Sequence, residues 1–221
     1  MALDIDGTCF PSDFHFILKS LKKTVDVVYL TSRTLESCFR DIAAGLLVEP
    51  HHLFADLGNC HATRDKYTGE FVVRTFREIP WRQVIEELDG YPMQLQKNLI
   101  LERRTSYLVP KDLDDGVRGD VEARLATLDL NCVWSAGYLD ILPTRVDKLG
   151  ALYRLPSLEL YESITVAGNS STDSHLFIES DAHITRLVVG NDKELADMTR
   201  NKHFDFEYIR STDELLSVVR L

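Results

Sequence analysis

Two aspartates one residue apart, closing a short apolar stretch and followed at once by glycine, constrain this chain more than any other feature: Met1-Ala2-Leu3-Asp4-Ile5-Asp6-Gly7-Thr8. Period-two alternation puts Asp4 and Asp6 on one face of a strand, so their carboxylates emerge together. Gly7 lets the backbone turn away and leaves both at the strand's C-terminal tip. Carboxylates that close repel, so a cation neutralises them or one holds a proton. Either state suits an enzyme with one Asp as nucleophile, the other as acid/base, and a divalent metal between them. The plain structural alternative is a strand ending in a polar Asp-Gly turn.

The rest of the chain repeats the theme. Phe14 to Lys22 has helical spacing, with Phe14, Ile17, Leu18 and Leu21 on one face. Val25 to Leu30 is a nearly continuous apolar run, the mark of a strand buried on both sides, and it opens into Thr31-Ser32-Arg33-Thr34. Leu35, Cys38, Phe39, Ile42, Ala43 and Leu46 then recur at helical spacing. A hydroxyl-rich strand-to-helix junction caps the helix and offers an anion its amides and hydroxyls. His52 to Ala55 is a further strand, closing at Asp56-Leu57-Gly58-Asn59. Strand, helix, strand, helix, strand predicts a parallel sheet with helical crossovers.

From about Thr63 the texture changes. Lys66 to Glu70 is a polar turn between short strands, and Trp81 to Leu88 is helical. Leu95 to Leu101 and Thr105 to Val109 read as strands, with Arg103 and Arg104 between them. Val117 to Leu128 is a helix, and Asn131 to Ser135 with Tyr138 to Leu142 is a hairpin across Ala136-Gly137. The block 63–142 therefore reads as an insert in a core made of 1–62 and 143–221. Beyond Pro143 the crossover pattern resumes: a helix from Lys148 to Leu155, a strand from Ser163 to Ala167 opening into Gly168-Asn169-Ser170-Ser171-Thr172-Asp173, a helix through Leu176 and Phe177, a strand from Thr185 to Val189, and a closing helix from Asp213 to Val219. Asp4/Asp6, Thr31 and Asn169 to Asp173 each follow a core strand, so all lie on the sheet edge where open parallel sheets bind ligands. Three independent turns do not account for that coincidence.

Composition narrows the classes. A formal charge of −10 provides no broad basic face for phosphates of a nucleic acid. No apolar run approaches the roughly 18 residues of a membrane span, and no signal-peptide pattern opens the chain. The expectation is a cytoplasmic protein with neither membrane nor nucleic-acid partner; only three residues precede Asp4, which fits a chain trimmed at its start or cut from something longer. Cys9, Cys38, Cys60 and Cys132 lack the spacing of a zinc site or disulfide framework, Cys9 beside the site reads as a small buried thiol, and His51-His52 as loop surface.

The order Asp4-Ile5-Asp6-Gly7-Thr8, Thr31, Lys148, then Gly168 to Asp173 resembles the four motifs of the haloacid-dehalogenase-like (HAD) superfamily of phosphatases and phosphotransferases. Within it, Tyr29 to Thr34, Leu57-Gly58-Asn59, Thr105-Ser106-Tyr107 and Leu139 to Pro143 resemble the sucrose-phosphatase branch. The resemblance implies a Rossmann-like α/β core, with a parallel sheet between helices on both faces, and an inserted α+β cap of the second type. It implies Asp4 as nucleophile and Asp6 as acid/base. Thr31, Ser32 and Lys148 would hold the phosphoryl oxygens, and Asp4, Asp6, Asn169 and Asp173 would hold Mg2+. A small phosphorylated sugar would be the substrate, with Asn59, Arg103, Arg104 and Tyr107 as candidate contacts to it. The fourth motif departs from the family's usual Gly-Asp-x-Gly-Asn-Asp: Asn169 keeps an oxygen but loses a charge, which implies weaker magnesium binding, and Ser171 replaces a glycine. The competing reading is a HAD-like module without turnover, such as the phosphatase-like domain of a sucrose-phosphate synthase; a phosphomutase of the same superfamily is a third.

Overall fold

The computed structural model describes residues 1–6, 8, 14–97, 99–135, 137–156, 158–170, 173, 176–177, 184–190, 207–210 and 214. They form two compact units, one built from 1–74 and 147–221, the other from 75–146.

The first unit carries a sheet whose strands, numbered along the chain, are β1 (Ala2–Leu3), β2 (Val28–Leu30), β3 (His52–Ala55), β4 (Cys60–Arg64), β5 (Phe71–Thr75), β10 (Ile164–Gly168), β11 (Ile184–Val189) and β12 (Glu207–Ile209). Their order is β12-β11-β10-β1-β2-β3-β4-β5. Pairing is parallel from β12 to β3 and antiparallel between β3 and β4. The chain builds outward in one direction from β1 to β3 and in the other from β10 to β12. The reversal lies between β1 and β10, in register Ala2↔Val166 and Leu3↔Ala167. Such a switch point opens a crevice at the strands' C-terminal ends.

Burial explains why these short runs are strands. Leu3, Tyr29, Leu53, Ala55, Ala167 and Leu187 share a core with Leu18 of α1 (Phe14–Leu21) and with Leu35 and Cys38 of α2 (Leu35–Ala43). Ala2 and Val28, pointing to the other face, line a small cavity with Leu152 of α5 (Lys148–Tyr153) and Leu155. Helices thus cover both faces, as a parallel sheet requires. α2 starts where the Thr34 hydroxyl accepts from the Ser37 amide at 3.2 Å.

Residues 60–75 belong to this sheet, whereas the sequence reading placed everything from Thr63 in the insert. Cys60 and Ala62 are buried in the main core, and Phe71 packs on Phe39 of α2 with ring centroids 4.7 Å apart. Asp65 turns the chain between β4 and β5 by accepting from the Tyr67 and Thr68 amides, both at 2.8 Å.

The second unit is an antiparallel sheet, β6 (Gln94–Leu95), β7 (Thr105–Leu108), β8 (Leu130–Ser135) and β9 (Tyr138–Pro143), in the order β6-β7-β9-β8. Tyr107, Leu139 and Ile141 of the sheet pack with Val84 of α3 (Trp81–Glu87) and with Val121 and Leu125 of α4 (Asp115–Ala126). The strand expected over Leu95 to Leu101 is confined to β6. Leu99-Ile100-Leu101 turns instead, with the Ile100 carbonyl accepting from the Arg103 and Arg104 amides at 2.9 and 3.1 Å. β12 was not foreseen; the expected helix over 213–219 lies outside the described residues apart from Glu214, and of the helix expected after Asp173 only Leu176 and Phe177 are described, both buried. No described helix is long and apolar enough to cross a membrane.

His61 of β4 lies flat on Phe54, centroids 4.4 Å apart, with its Nε2 3.1 Å from His52 Nδ1. Burial, then the neighbouring His52, pushes its pKa down to about 4. A histidine whose folded pKa is depressed adds stability above its unfolded pKa and loses it as pH falls through the folded one. Stability should therefore fall between about pH 6.5 and pH 4, and His61→Phe should remove on the order of 1 kcal/mol of that loss in urea unfolding at a series of pH values. Parallel pH profiles for parent and variant would contradict this assignment.

Candidate active site

Four segments converge at the switch point. Asp4 leaves β1 with its amide bound to the Ala167 carbonyl of β10 at 2.9 Å, which places it beside the loop after Gly168. Lys148 is the first residue of α5, whose start is fixed by Asp147 accepting from the Gly150 amide at 2.6 Å. Its Nζ donates to Asp4 Oδ1 at 2.6 Å and to Asp173 Oδ1 at 2.5 Å. All three side chains are buried, the lysine to 1% exposure.

Asp173 does more than pair with the lysine. Its Oδ2 accepts from the amides of Asn169 and Ser170, both at 3.0 Å, and from the Ser170 hydroxyl at 3.2 Å. The carboxylate thereby folds its own loop. Gly168 is required for that closure, because a Cβ there would stand 2.6 Å from the Cβ of Asp173. Asn169 turns outward from this loop, and its Oδ1 accepts from the Thr8 hydroxyl at 3.3 Å.

Electrostatics follow from two carboxylates sharing one ammonium. Burial and then Asp173 push Asp4 up to about 7, against the pull of Lys148. For Lys148 burial opposes the charge, but Asp173 and Asp4 outweigh it and hold the ammonium protonated.

Thr31, at the end of β2, is fully buried and its Oγ1 accepts from the Arg33 amide at 3.1 Å. Ser32 lies half-buried beside it. Arg33 is the residue that sequence reasoning did not assign to the site. It grips Asp6 in a fork, Nε to Oδ2 at 2.8 Å and Nη2 to Oδ1 at 2.5 Å, and its Nη1 reaches Asp41 Oδ2 of α2 at 2.6 Å. The guanidinium pKa is raised, chiefly by its bond to Asp6. An arginine inside a hydroxyl run at a strand end was the available signal. Asp4 faces the buried lysine, while Asp6, its side chain 54% exposed, is held by Arg33.

The loop 56–59 ties these parts together. Its amides at Asp56 and Leu57 donate to the carbonyls of Arg33 and Thr31 at 2.8 and 3.0 Å. Asp56, Leu57 and Gly58 all have positive φ, at 51°, 57° and 93°. Gly58 must be glycine, since a Cβ would sit 2.7 Å from the Asp147 carbonyl and 2.9 Å from Ala151 Cβ. Asn59 is fully buried in this loop of the first unit. Arg103, Arg104 and Tyr107 belong to the second unit. There Arg104 pairs with Asp140 at 2.7 Å, and Tyr107 lies in the hydrophobic core, its hydroxyl pKa pushed up to about 12 by burial.

Of the four side chains expected to hold a divalent ion, Asp173 is committed on both oxygens and Asp6 is gripped on both by Arg33. Asp4 accepts from Lys148 on Oδ1 and Asn169 from the Thr8 hydroxyl, and no cluster of three or more metal-ligating His, Cys, Asp or Glu side chains exists among the described residues. One carboxylate and one amide oxygen fit magnesium, which takes one or two protein carboxylates and completes its shell with water and substrate phosphate.

The nest also sets a stability asymmetry. Lys148→Met leaves two buried carboxylates without their cation and should destabilise by about 3–5 kcal/mol, while Asp4→Asn leaves one carboxylate to one ammonium and should lower stability far less. Denaturant unfolding of both variants measures the difference; equal losses would refute the charge arrangement.

The profile of the sucrose-6F-phosphate phosphohydrolase family matches residues 1–216. Among solved structures, the sucrose-phosphatase of Synechocystis sp. PCC6803 in complex with sucrose and phosphate aligns with a TM-score of 0.74 at 18% identity, over 99% of this chain and 95% of that one. A HAD subclass IIB sugar phosphatase aligns at 0.65 and 13%, over 96% and 94%. Trehalose-6-phosphate phosphatase of Aspergillus fumigatus aligns at 0.65 and 14%, over 98% and 90%. At these identities the likenesses show the fold. A search of curated proteins finds no match.

Proposed function

The chain belongs to the sucrose-6F-phosphate phosphohydrolase family of phosphoric monoester hydrolases, and on that premise we propose that it is a magnesium-dependent phosphatase of a phosphorylated sugar, sucrose-6-phosphate or a related glycosyl phosphate. The observation that carries this reading is the buried Asp4–Lys148–Asp173 nest at the sheet's switch point.

Each residue's part follows from its position. Asp4 attacks the phosphorus in line, the bond from phosphorus to the sugar oxygen breaks, and an aspartyl-phosphate forms on Asp4. Lys148 holds Asp4 in place and offsets charge on the transferred group. Thr31 and Ser32, at the end of β2, supply hydroxyls to the phosphoryl oxygens. Asp6, on the solvent side, gives its proton to the departing sugar oxygen and then takes one from the water that frees phosphate and restores Asp4. Arg33, itself tied to α2 through Asp41, fixes where Asp6 stands. Asp4 and Asn169 would hold magnesium, which supplies a Lewis-acidic charge against the phosphoryl oxygens. Selection among sugars is assigned to the inserted unit acting as a cap, with Arg103 and Arg104 as the residues to vary first and Asn59 as the candidate from the first unit.

A module without turnover is the second reading, and Asn169 in place of an acidic residue is the observation that favours it. A panel of phosphorylated mono- and disaccharides with magnesium decides between them. The phosphatase reading expects phosphate release from at least one member, and a fall of at least about 10³-fold in Asp4→Asn with circular dichroism unchanged. No release from any sugar phosphate, or a variant within a few-fold of the parent, would refute it.

A further inference from the structure

We infer that β5 joins two copies of this chain, pairing antiparallel with β5 of the second copy about a two-fold axis at Val72. The inference stands apart from the phosphatase reading. Among the described residues β5 ends the eight-stranded sheet, with β4 on its other side. Such an edge offers a row of backbone donors and acceptors to another strand, and folded proteins blunt it with proline, short length or inward-pointing charge. Phe71-Val72-Val73-Arg74-Thr75 has no proline and only one charged residue. Val72 and Val73 are 41% and 36% exposed. Successive residues point to opposite faces of a strand, so both faces of this edge show apolar side chains to solvent.

The hairpin decides which backbone groups face outward. The Asp65 amide donates to the Glu70 carbonyl at 2.8 Å, which turns that carbonyl toward β4. Backbone groups alternate sides along a strand, so the N–H and C=O of Phe71 and Val73 turn away from β4. A second copy can meet these two residues about an axis at Val73 or at Val72.

Charge separates the two registers. With the axis at Val73, Arg74 stands opposite Val72 and Glu70 opposite Phe76, so each charge meets an apolar side chain. With the axis at Val72, Val72 meets Val72, Phe71 meets Val73, and Glu70 meets Arg74. Symmetry makes the last two pairs occur twice. Glu70 and Arg74 are both exposed, and opposite charges directly across an antiparallel pair stabilise it. Phe71 already packs on Phe39 of α2, and the Arg64 guanidinium lies 4.6 Å from its ring. Val73 of the second copy continues that apolar layer. An isologous contact of this kind uses the same edge of both chains and closes at a dimer.

Sedimentation equilibrium and cysteine cross-linking on the full chain test the inference. The parent should show a concentration-dependent monomer–dimer equilibrium. Arg74→Glu sets two pairs of like charges face to face and should weaken the dimer at least about fivefold, and adding Glu70→Arg should restore it. Val72 faces itself in a pair whose Cα atoms lie about 4.5 Å apart, within reach of a disulfide. Val72→Cys should therefore cross-link on mild oxidation, whereas Val73→Cys, which faces Phe71, should cross-link no more than the parent. A parent that stays monomeric at the highest soluble concentration overturns the inference and leaves the edge to a strand of another protein. Assemblies larger than a dimer, as β5 meeting β12 head to tail would give, also overturn it. So does a dimer indifferent to Arg74→Glu, or one in which Val73→Cys cross-links as readily as Val72→Cys.

Discussion

An ammonium buried between two carboxylates holds this structure's functional half together. Lys148 comes from α5, Asp4 from the end of β1 and Asp173 from the loop after β10, so one cation joins segments 144 and 25 residues apart in sequence. Taking three charges out of water is expensive, and the geometry must repay it with short bonds and satisfied lone pairs. The second oxygen of Asp173 does so by capping its own loop, and Gly168 makes room for it. Burial of this trio is tolerable because the sheet places all three at one crevice. The sheet's order, with its reversal between β1 and β10, is therefore what the chemistry stands on.

Asp6 shows the opposite economy. Its side chain is exposed, and Arg33 fixes it through a two-bonded fork whose geometry matches a carboxylate. Two aspartates one residue apart thus have unlike surroundings, one desolvated and raised, the other wet and clamped. The positive-φ loop 56–58 belongs to the same design, since it binds the Thr31–Arg33 carbonyls on one side and packs on α5 at Gly58 on the other.

Much of this was legible from local pattern. β3 lies exactly over His52 to Ala55, and α2, α3 and β9 fall within a few residues of their apolar periodicities, because burial on a repeating face leaves a local trace. Motifs at strand ends pointed to Asp4 and Thr31, whereas Lys148 entered through the family resemblance. What was not legible depends on partners distant in sequence. Residues 60–75 look like any short hairpin, and it is the pairing of β4 with β3 and the contact of Phe71 with Phe39 that assign them to the main sheet. The amide bonds by which Asp173 folds its own loop leave no trace in the sequence. Tyr107 reads as a substrate contact on a strand whose alternation does not say which face meets the helices. Arg33 was visible as a residue but not as the clamp on Asp6, 27 positions away.

With Asp4 as the proposed nucleophile, the phosphoryl group is expected on Asp4 and not on Asp6. Mixing the protein with magnesium and a hydrolysed sugar phosphate, quenching in acid within the first turnovers, and sequencing the N-terminal peptide by mass spectrometry tests it directly. Phosphoryl mass is expected on Asp4 alone, accumulating to a larger fraction when Asp6→Asn slows its hydrolysis. A phosphoryl group on Asp6, or steady turnover with no phosphorylated aspartate in either protein, would contradict it.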